Sequence, residues 1–531
     1  MRNRPSRTGN QKKLGIIVAA FFGFILLTST VLIAIPSILP QGSQMVTDPE
    51  AMTITGTPQD NYPDANRPQF CGIGQPQSNA YITEYRIPTL CSQPLAVEVT
   101  PDGRVWFAQS NTGNLAVFDP FTEEITEFEN PFWDDSQTSM MWGMDYEGGY
   151  LWYTDEANDS VWRFDTTAAT YRQFQLPESG EAFPQLLEVQ GTDIILNDLL
   201  GNSLVVLDAS DVEGGLTYYA VPSNVTDAVT AGFALDTDGS VWYTTWVPQG
   251  GGILVNVDPN LIKMVSDSDP AITTLPPALR TPNGATVDHS GKVWLADTSS
   301  SYFFAYDPAT DSFSTYITNV PDVFTYGNVS GMVQTPISRP YWMTTTDAGQ
   351  IVFNEQTANR IGVMDPATET LVEYAIPSKN PFWADCGGSM ACGISQALAF
   401  DVSGDKVWFT EWVENNIGVV DMSKPLPFDI IPSTQRLVLT PGESRTVSYM
   451  VVANTDSPMG VEPVYSHTHT FLYPIPHIPP QISILEGAME MSVDMVADPN
   501  SIPGEYKILL GAESGSVSVS KFVTVQILPG P

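Results

Sequence analysis

Basic residues are scarce in this 531-residue chain, which holds 22 Lys and Arg against 60 Asp and Glu and carries a formal charge of −38. A field of this sign repels nucleic acid and anionic surfaces and concentrates cations near the protein. We therefore expect no nucleic-acid partner. The simplest explanation of the acidity is solubility in a medium rich in salt or divalent cations.

Histidine is also rare, and the only four residues are His289, His467, His469 and His477. The sequence has no nucleophile elbow, phosphate-binding loop or zinc-ligand spacing. One alternative stays open in the C-terminal part. Two histidines alternate along a predicted strand there and could bind copper with nearby methionines, Met489, Met491 and Met495, although no third ligand stands at a recognisable spacing.

The four cysteines fit disulfides formed in an oxidising exterior, because no histidine lies near them to complete a metal site. Their spacings favour the pairs Cys71–Cys91 and Cys386–Cys392, while the sequence alone allows three connectivities. Three N-x-Ser/Thr triplets offer glycosylation sites in an extracellular protein, at Asn158, Asn224 and Asn328.

The N-terminal region has no charged residue between Lys13 and Asp48. Residues 14–36 would span roughly 33 Å as a helix, enough to cross a bilayer core. A cleavable signal peptide has a shorter apolar stretch of about 7–15 residues, so we favour an uncleaved transmembrane anchor, with cleavage as the alternative. The basic residues 1–13 predict a cytoplasmic N-terminus, a stalk over residues 37–80 and an extracellular bulk of a single-pass cell-membrane protein.

A tryptophan-centred phrase recurs along the chain. Its five clear copies are Val105–Ala108, Leu151–Thr154, Val241–Thr244, Val293–Ala296 and Val407–Thr410. Most copies are followed by a polar loop, a hydrophobic strand that ends near an Asp, and an outer strand such as Ile125–Phe128. Four short strands with turn residues between them are the make-up of a β-propeller blade.

Two weaker copies fill the long gaps in this series, at Asp193–Asp198 and Gly349–Glu355. With them the count becomes seven, over residues 81–432. We therefore predict an all-β protein with a seven-bladed propeller, because the even spacing argues against the alternative of a two-sheet sandwich. From residue 433 to 531 the tryptophan phrase is lost, and strands of period two predict a small immunoglobulin-like β-sandwich.

Acidic residues recur in the loops that follow the second strand of each predicted blade. Rotation about the propeller axis would bring these loops to one face, called the mouth here. The candidate ligands of a Ca²⁺ or Mg²⁺ ion are Asp155, Glu156, Asp198, Asp297, Glu355 and Glu411, since hard cations prefer oxygen donors. The alternative is that these side chains only solvate turns.

A tetrapeptide, Asn-Pro-Phe-Trp, occurs in the loops leading into blades two and seven, which also lie at the mouth. Exposed aromatic residues on loops are typical of partner or ligand anchors. The candidate binding residues are Phe132, Trp133, Phe382 and Trp383. The alternative is that both tetrapeptides are lids folded over the rim.

The repeats around Lys406–Glu411, Asn416–Asp421 and Arg360–Pro366 resemble those of the streptogramin B lyase (virginiamycin B lyase) family, over residues 81–432. The resemblance implies a seven-bladed propeller, whose lyase members open a cyclic depsipeptide by Mg²⁺-assisted elimination with His and Glu on the mouth loops. In lyase-type loops a His can follow the Glu, whereas Trp412 follows Glu411 here. Without that proton carrier, we expect a non-lyase relative.

Three functions remain open on the sequence. The first is a membrane-anchored binding or scaffold protein, with no catalytic residue, that contacts a cell-envelope protein or glycan through its acidic, aromatic-rimmed mouth. The second is a divalent-metal-dependent lyase or lactonase that uses mouth carboxylates. The third is a structural part of a surface layer, which the net charge fits equally well.

Overall fold

The structure is a computed structural model that describes residues 65–530 except 134–138, 178–181, 223–224, 226, 248–249, 259–270, 327–335, 385, 387–391, 469–471 and 478–482. The predicted cytoplasmic tail, the anchor at 14–36, most of the stalk, and the sequons at Asn224 and Asn328 lie outside these residues. No helix within the described part of the chain combines the length and apolar character that a membrane span requires.

Strands dominate the first part of the fold. The opening strand is β1 (Ile82–Arg86), and it is followed by the four strands of each blade in turn. Blades 1 and 2 comprise β2 (Pro94–Val99), β3 (Val105–Gln109), β4 (Asn114–Asp119), β5 (Glu124–Phe128), β6 (Met144–Glu147), β7 (Tyr150–Asp155), β8 (Ser160–Asp165) and β9 (Thr170–Gln175). Blades 3 and 4 comprise β10 (Pro184–Gln190), β11 (Asp193–Asp198), β12 (Ser203–Asp208), β13 (Thr217–Pro222), β14 (Val229–Leu235), β15 (Val241–Trp246), β16 (Gly252–Val257) and β17 (Ala271–Thr274).

The remaining blades complete a ring. Blades 5 and 6 comprise β18 (Pro282–Val287), β19 (Val293–Asp297), β20 (Tyr302–Asp307), β21 (Ser312–Ile317), β22 (Pro340–Thr345), β23 (Ile351–Glu355), β24 (Arg360–Asp365) and β25 (Thr370–Ala375). Blade 7 comprises β26 (Ala397–Ser403), β27 (Lys406–Glu411) and β28 (Asn416–Asp421), with β1 as its outer strand. The helical segments are short, namely α1 (Arg67–Phe70), α2 (Val323–Tyr326) and the 3₁₀ turn Pro381–Trp383.

Each blade is an antiparallel meander, and the innermost strands of successive blades contact one another at six of the seven junctions, while β14 of blade 4 contacts β11 of blade 3. In the described part of the chain this gives seven blades, which confirms the predicted all-β propeller. The ring closes when β1, from the N-terminal side, pairs with β28 from the end of the propeller, in a register from Ile82↔Val420 to Arg86↔Asn416.

The tryptophan phrase holds neighbouring blades together in two ways. Its Trp side chains are buried between blades, each no more than 9% exposed. Two residues after the Trp position, a buried Thr or Asn donates a hydrogen bond to a carbonyl on the inner strand of the next blade. These bonds join Thr154 to Gln185 (2.7 Å), Asn197 to Thr230 (3.1 Å), Thr244 to Pro282 (2.7 Å), Asn354 to Ala397 (2.7 Å) and Thr410 to Leu95 (2.6 Å).

Close approach of the inner strands explains two glycines of the inner ring. A Cβ on Gly232 would lie 1.9 Å from the carbonyl oxygen of Asn283, and one on Gly284 would lie 2.3 Å from that of Tyr341. Both obstacles are backbone atoms of the next blade, which cannot move aside without opening the ring. Only glycine fits at these positions.

The C-terminal region forms two sheets around a shared core. Its strands are β29 (Phe428–Pro432), β30 (Arg436–Leu439), β31 (Ser444–Ala453), β32 (Met459–His467), β33 (Leu472–Pro476), β34 (Ser483–Leu485), β35 (Ala488–Ala497), β36 (Gly504–Ser514) and β37 (Val517–Ile527). One sheet has the order β29-β31-β35-β33. Since β29 pairs with β31 and not with a blade, this region begins a few residues before position 433.

The second C-terminal sheet is continuous with blade 6. Strand β37 pairs antiparallel with β25, in a register from Thr370↔Lys521 to Tyr374↔Val517, and β36, β32 and β34 follow. Phe522 lies beneath this junction, 2% exposed, with its ring centroid 5.0 Å from that of Tyr316 and 6.2 Å from that of Phe303. Propeller and C-terminal region therefore share both a sheet and a hydrophobic cluster.

Both predicted disulfides are formed, Cys71–Cys91 and Cys386–Cys392. The first encloses β1 and ties the segment around α1 to the loop that leads into blade 1. This segment, assigned to the stalk by its composition, packs on the propeller: the side chain of Asn380 donates to the carbonyl of Pro68 (2.9 Å), and Trp383 Nε1 donates to that of Gln69 (2.8 Å). The segment around α1 is therefore part of the folded propeller and not of the predicted stalk.

We predict that Phe522→Ala lowers the free energy of unfolding by about 3–5 kcal/mol, because it empties an aromatic cluster shared by both domains. Chemical unfolding and limited proteolysis of the junction measure the effect. Phe121→Ala, which removes a ring that is 89% exposed, is the matched control and should change stability by less than about 0.5 kcal/mol. Equal effects of the two substitutions would contradict a junction that stabilises both domains.

Candidate functional site at the mouth

The propeller axis is closed on the mouth side by aromatic side chains. Trp142, just before β6 of blade 2, meets Tyr341 and Trp342 of blade 6, with ring centroids 6.4 and 6.5 Å apart. All three residues are at most 6% exposed. Blades 2 and 6 lie on different sides of the ring, so their contact leaves no open channel at this level.

Five of the six candidate metal ligands occupy the same structural position, the last residue of the second strand of a blade. They are at most 3% exposed, and the five residues are Asp155, Asp198, Asp297, Glu355 and Glu411. Each is therefore buried within its own blade. The structure does not bring them together at a shared opening.

The three aspartates among them are satisfied by their own loops. Asp155 accepts from Ser139 Oγ (2.6 Å) and Trp162 Nε1 (2.9 Å). Asp198 accepts from two backbone amides, and Asp297 accepts from the backbone and hydroxyl of Thr281 and from serines of the loop after β19. A carboxylate that accepts so many local donors holds its turn in place.

The two glutamates form buried carboxyl pairs. Glu411 lies against Glu84 of β1, and burial followed by this neighbour raises the pKa of Glu411 well above its ordinary value. Glu355 is paired in the same way with Glu373, although the guanidinium of Arg360 lies 3.8 Å from Glu373. Both pairs join the second and fourth strands of a blade.

Blade 1 shows what such a pair contributes. At the position of Glu411 it carries Gln109, whose Nε2 donates to Glu127 at 2.5 Å. In blade 1 the uncharged side chain of Gln109 thus links the second and fourth strands. Blades 6 and 7 have a glutamate at the same position. This equivalence indicates that the position links the second and fourth strands of a blade.

Glu156, the sixth candidate, begins the loop after β7 and is only partly buried. Its carboxylate accepts from Trp142 Nε1 at 2.7 Å, which fixes the indole that closes the axis. Burial raises the pKa of Glu156 to about 8 despite this hydrogen bond, and nearby Asp155 adds to the rise. Asp159 in the same loop has its pKa raised to about 6 by burial, Asp198 and Asp155.

Within the described residues, no three His, Cys, Asp or Glu side chains are placed to hold a metal ion together. Binding of Ca²⁺ or Mg²⁺ at the mouth stays a prediction. Calorimetry with both ions on the wild type and on Glu355→Gln and Glu411→Gln tests it.

The two Asn-Pro-Phe-Trp segments adopt the same turn. In each, the Asn side chain accepts from the Phe amide at 3.1 Å, and the Trp amide donates to the Asn carbonyl at 3.2 Å. The Phe side chains project outward, with Phe132 67% and Phe382 54% exposed. The repeat therefore places one exposed phenyl ring over blade 1 and one over blade 7.

The tryptophans of these turns do not project into solvent as the sequence suggested. Trp383 is 7% exposed and packs edge-on against Phe70 (5.7 Å) and Trp412 (5.5 Å), while Trp133 is partly buried above Gly113. The physical reason is that an indole covers much apolar area and here fills the space over the rim. The tryptophans are therefore folded over the rim, as the lid alternative predicted. Only the phenylalanines remain candidates for anchoring a ligand.

Trp412 stands where the lyase resemblance implies a histidine. It is 5% exposed, lies between Trp383 and Phe70, and is part of the packing under the second tetrapeptide. The histidines that the structure describes lie elsewhere: His289 follows β18 on the opposite face, and His467 and His477 belong to the C-terminal sheets. Asn158, the described sequon, is partly buried and donates to Asp155 at 2.9 Å.

Two features of the propeller were not predicted from the sequence. One is the packing of Phe70 and its neighbours on the mouth, which an isolated phenylalanine in a Pro-rich segment does not indicate. The other is a set of acids on the inner strands, Glu98, Asp145 and Asp401, which face the tryptophans of the phrase across the sheet. Their similar distance ahead of each Trp is a signal in the sequence that could have identified them.

Comparisons with protein families and solved structures give the following similarities. Residues 48–302 match the model of the virginiamycin B lyase family. Similar solved structures include virginiamycin B lyase from Staphylococcus aureus (18% identity, 64% of this chain and 98% of that chain, TM-score 0.49), a streptogramin B lyase (20%, 64% and 99%, 0.49) and YCF48 from Cyanidioschyzon merolae (10%, 65% and 100%, 0.43). Curated protein sequences gave no match.

We predict that Glu156→Gln becomes increasingly more stable than the wild type as the pH rises. Below the ordinary pKa of 4.5 the carboxyl is protonated in both folded and unfolded chains, whereas from there up to about pH 8 only the unfolded chain ionises, which favours unfolding. At one pKa unit per 1.4 kcal/mol, reduced for partial exposure, the gain at pH 8 is about 2–4 kcal/mol.

Thermal unfolding between pH 4 and pH 8 checks this, with the exposed Glu124→Gln as control. The Glu156→Gln and wild-type curves should meet at the acidic end and diverge above it. A difference that stays constant over the whole range would show that Glu156 is not the group that titrates.

Proposed function

Since this chain is a virginiamycin B lyase-like β-propeller protein, we propose that it is a membrane-anchored binding or scaffold protein of the cell envelope that uses the mouth of its propeller. The ligand is an envelope protein or glycan. One observation carries the proposal, namely the two identical turns that hold Phe132 and Phe382 exposed on the mouth face.

An exposed phenyl ring on a rigid turn is suited to recognition. The Asn cap, the proline and the buried tryptophan fix each turn before a partner arrives, so little conformational entropy is lost on binding. Rings of this kind stack on sugar faces or fill apolar pockets of a protein, and they contribute most of the affinity where they become fully buried.

Binding accounts for the mouth better than catalysis does. The carboxyl groups that resemble catalytic or metal-binding acids accept hydrogen bonds within their blades or are paired with a second carboxyl group. At the position where the resemblance implies a proton carrier, Trp412 is part of the aromatic packing. These residues maintain the shape of the rim on which the phenylalanines stand.

The anchor and the C-terminal region complete the proposal. The apolar residues 14–36 hold the chain in the membrane, and the chain reaches the propeller at its mouth edge, where α1 contacts the turn of Phe382. The C-terminal strands form an immunoglobulin-like sandwich that acts as a rigid spacer, because β37 extends blade 6 without a linker.

The binding role is tested with a photoreactive benzoylphenylalanine at position 132 or 382 of the full-length protein in its membrane. Both positions should cross-link to the same envelope component, and Phe132→Ala with Phe382→Ala should weaken its binding by about tenfold or more. The matched control is position 121 on the opposite face of blade 1, where Phe121 is 89% exposed. Equal cross-linking from all three positions, or none, would contradict the proposal.

The membrane topology predicts how the protein behaves in intact cells. A protease added from outside should degrade the propeller while a tag ahead of residue 14 stays protected, because the basic flank is cytoplasmic. Immunoblots against both ends measure this. Release of the whole chain by an alkaline carbonate wash would refute the anchor.

A further inference from the structure

Three polar side chains of the C-terminal region are hydrogen-bonded in series on one sheet. Ser492 of β35 contacts His477, with 2.9 Å between Oγ and Nδ1. The other ring nitrogen of His477, Nε2, lies 2.9 Å from Oδ2 of Asp494. A hydroxyl, an imidazole and a carboxylate connected in this order are the components of a serine hydrolase triad, which is recognised by its geometry and not by its order in the sequence.

The pairing of β33 with β35 explains why these side chains meet. The register Ile475↔Asp494 continues past the end of β33, where the amide of His477 donates to the carbonyl of Ser492 at 3.0 Å. Cross-strand neighbours share one face of a sheet, and so do residues two positions apart in one strand. The backbone therefore directs all three side chains to the same face.

That face is turned to solvent, because the alternate residues of β35 form the core. Met491 and Val493 are at most 1% exposed. The side chains of His477 and Asp494 are 44% and 37% exposed, and Ser492 between them is partly exposed. A substrate can therefore reach the hydroxyl and the imidazole without any rearrangement of the sheet.

The hydrogen bonds determine which nitrogen of the histidine carries the proton. Asp494 also accepts from the hydroxyl of Thr446 at 2.6 Å, and this bond and the one from His477 hold the pKa of Asp494 below its ordinary value. An ionised carboxylate only accepts hydrogen bonds, so in neutral His477 the proton is on Nε2. Nδ1 is then free to accept the hydroxyl proton of Ser492, as a general base must.

A fourth polar side chain lies beside the serine. Ser448 of β31 is the cross-strand partner of Ser492, so it occupies the same face of the sheet. When a nucleophile attacks a carbonyl group, negative charge develops on the carbonyl oxygen, and a neighbouring hydroxyl can stabilise it by donating a hydrogen bond. Ser448 is therefore placed to supply this donor.

The surroundings restrict the substrate. Exposed apolar side chains flank the triad on the same face, with Ile475 48% and Tyr473 37% exposed. The net charge of −38 repels anionic substrates. An open site with one hydroxyl as oxyanion donor provides limited stabilisation, which suits an ester better than an amide, because an alcohol leaves more readily than an amine.

We propose that this face of the C-terminal region is an esterase site, in which Ser492 is the nucleophile, His477 is the general base and the substrate is a neutral ester with an apolar acyl group. The site is built only from β31, β33 and β35 and the residue that follows β33. It therefore does not depend on the binding role proposed for the mouth.

The reaction follows from the positions of the protons. Oγ of Ser492 forms a bond to the acyl carbon while its proton passes to Nδ1 of His477. The bond to the alcohol oxygen then breaks, and the alcohol leaves with that proton. Water attacks the acyl-serine in the same way, which releases the carboxylic acid and restores the hydroxyl. Asp494 and Thr446 are positioning residues, because they orient the imidazole and do not contact the substrate.

A fluorophosphonate probe, which bonds to activated serines with loss of fluoride, tests the proposal on the full-length protein in detergent. Peptide mass spectrometry should find the probe on Ser492, and Ser492→Ala should abolish hydrolysis of p-nitrophenyl butyrate. His477→Ala should slow labelling and hydrolysis by about 10²-fold or more, and added imidazole should partly restore both. The matched control is Ser444→Ala, an exposed serine on the same face of β31, which should change neither rate.

Asp494→Asn separates a positioning role from a structural one. It should lower kcat by about tenfold or more, because an amide no longer enforces the required tautomer of His477, and it should leave KM nearly unchanged. Thermal unfolding should give the wild-type temperature for every variant, since the substituted side chains are not part of the core. Absence of the probe from Ser492 in the wild type, or hydrolysis that persists in Ser492→Ala and His477→Ala, would overturn the proposal.

Discussion

The hydrogen bond from the phrase to the next blade is the interaction on which the rest of the molecule depends. In five blades a buried Thr or Asn, such as Thr154 or Asn354, donates to a carbonyl of the neighbouring inner strand. That carbonyl lies at the shift in register between the inner strand and its partner, and a side chain of the preceding blade supplies its hydrogen bond. The same hydrogen bond thus joins neighbouring blades and provides a donor for a buried backbone carbonyl.

This arrangement explains where the acidic residues can be placed. At the ends of the second strands, carboxyl groups lie inside the blades: Asp155 accepts from local donors such as Ser139, and Glu411 accepts from Asn416 beside the carboxyl group of Glu84. On the inner strands, Asp145 and Asp401 accept hydrogen bonds from backbone amides of the next blade. Blade geometry therefore gives many of the acidic residues structural roles within and between the blades.

The sequence predicted the propeller and both disulfides, because repetition and cysteine spacing depend on local pattern. It also identified the two tetrapeptide turns. It could not tell which aromatic ring of each turn faces outward, since that depends on Phe70 and Trp412 arriving from distant segments. For the same reason, it predicted that Asp155 and Asp297 would converge, although each is held by its own loop.

The pairing between blade 6 and the C-terminal region could not be predicted from the sequence either. The alternation in β37 predicts a strand but not its neighbour, and an edge strand such as β25 can pair with any exposed partner of suitable twist. Phe522 resembles an ordinary core residue of a sandwich, yet its aromatic neighbours Phe303 and Tyr316 come from the propeller. Long-range pairing of this kind is decided by which edges remain uncovered after each domain has folded.

The disulfide Cys71–Cys91 spans the strand that closes the ring, since β1 lies between its two cysteines. Tension applied to the chain ahead of Cys71 passes through the covalent bond to Cys91 and reaches blade 1 directly. The chain between the two cysteines, which includes β1, is not under tension because the disulfide carries the load. The force therefore does not pull β1 away from β28. Force on the N-terminal side of the propeller therefore does not act on the pairing of β1 with β28 that closes the ring.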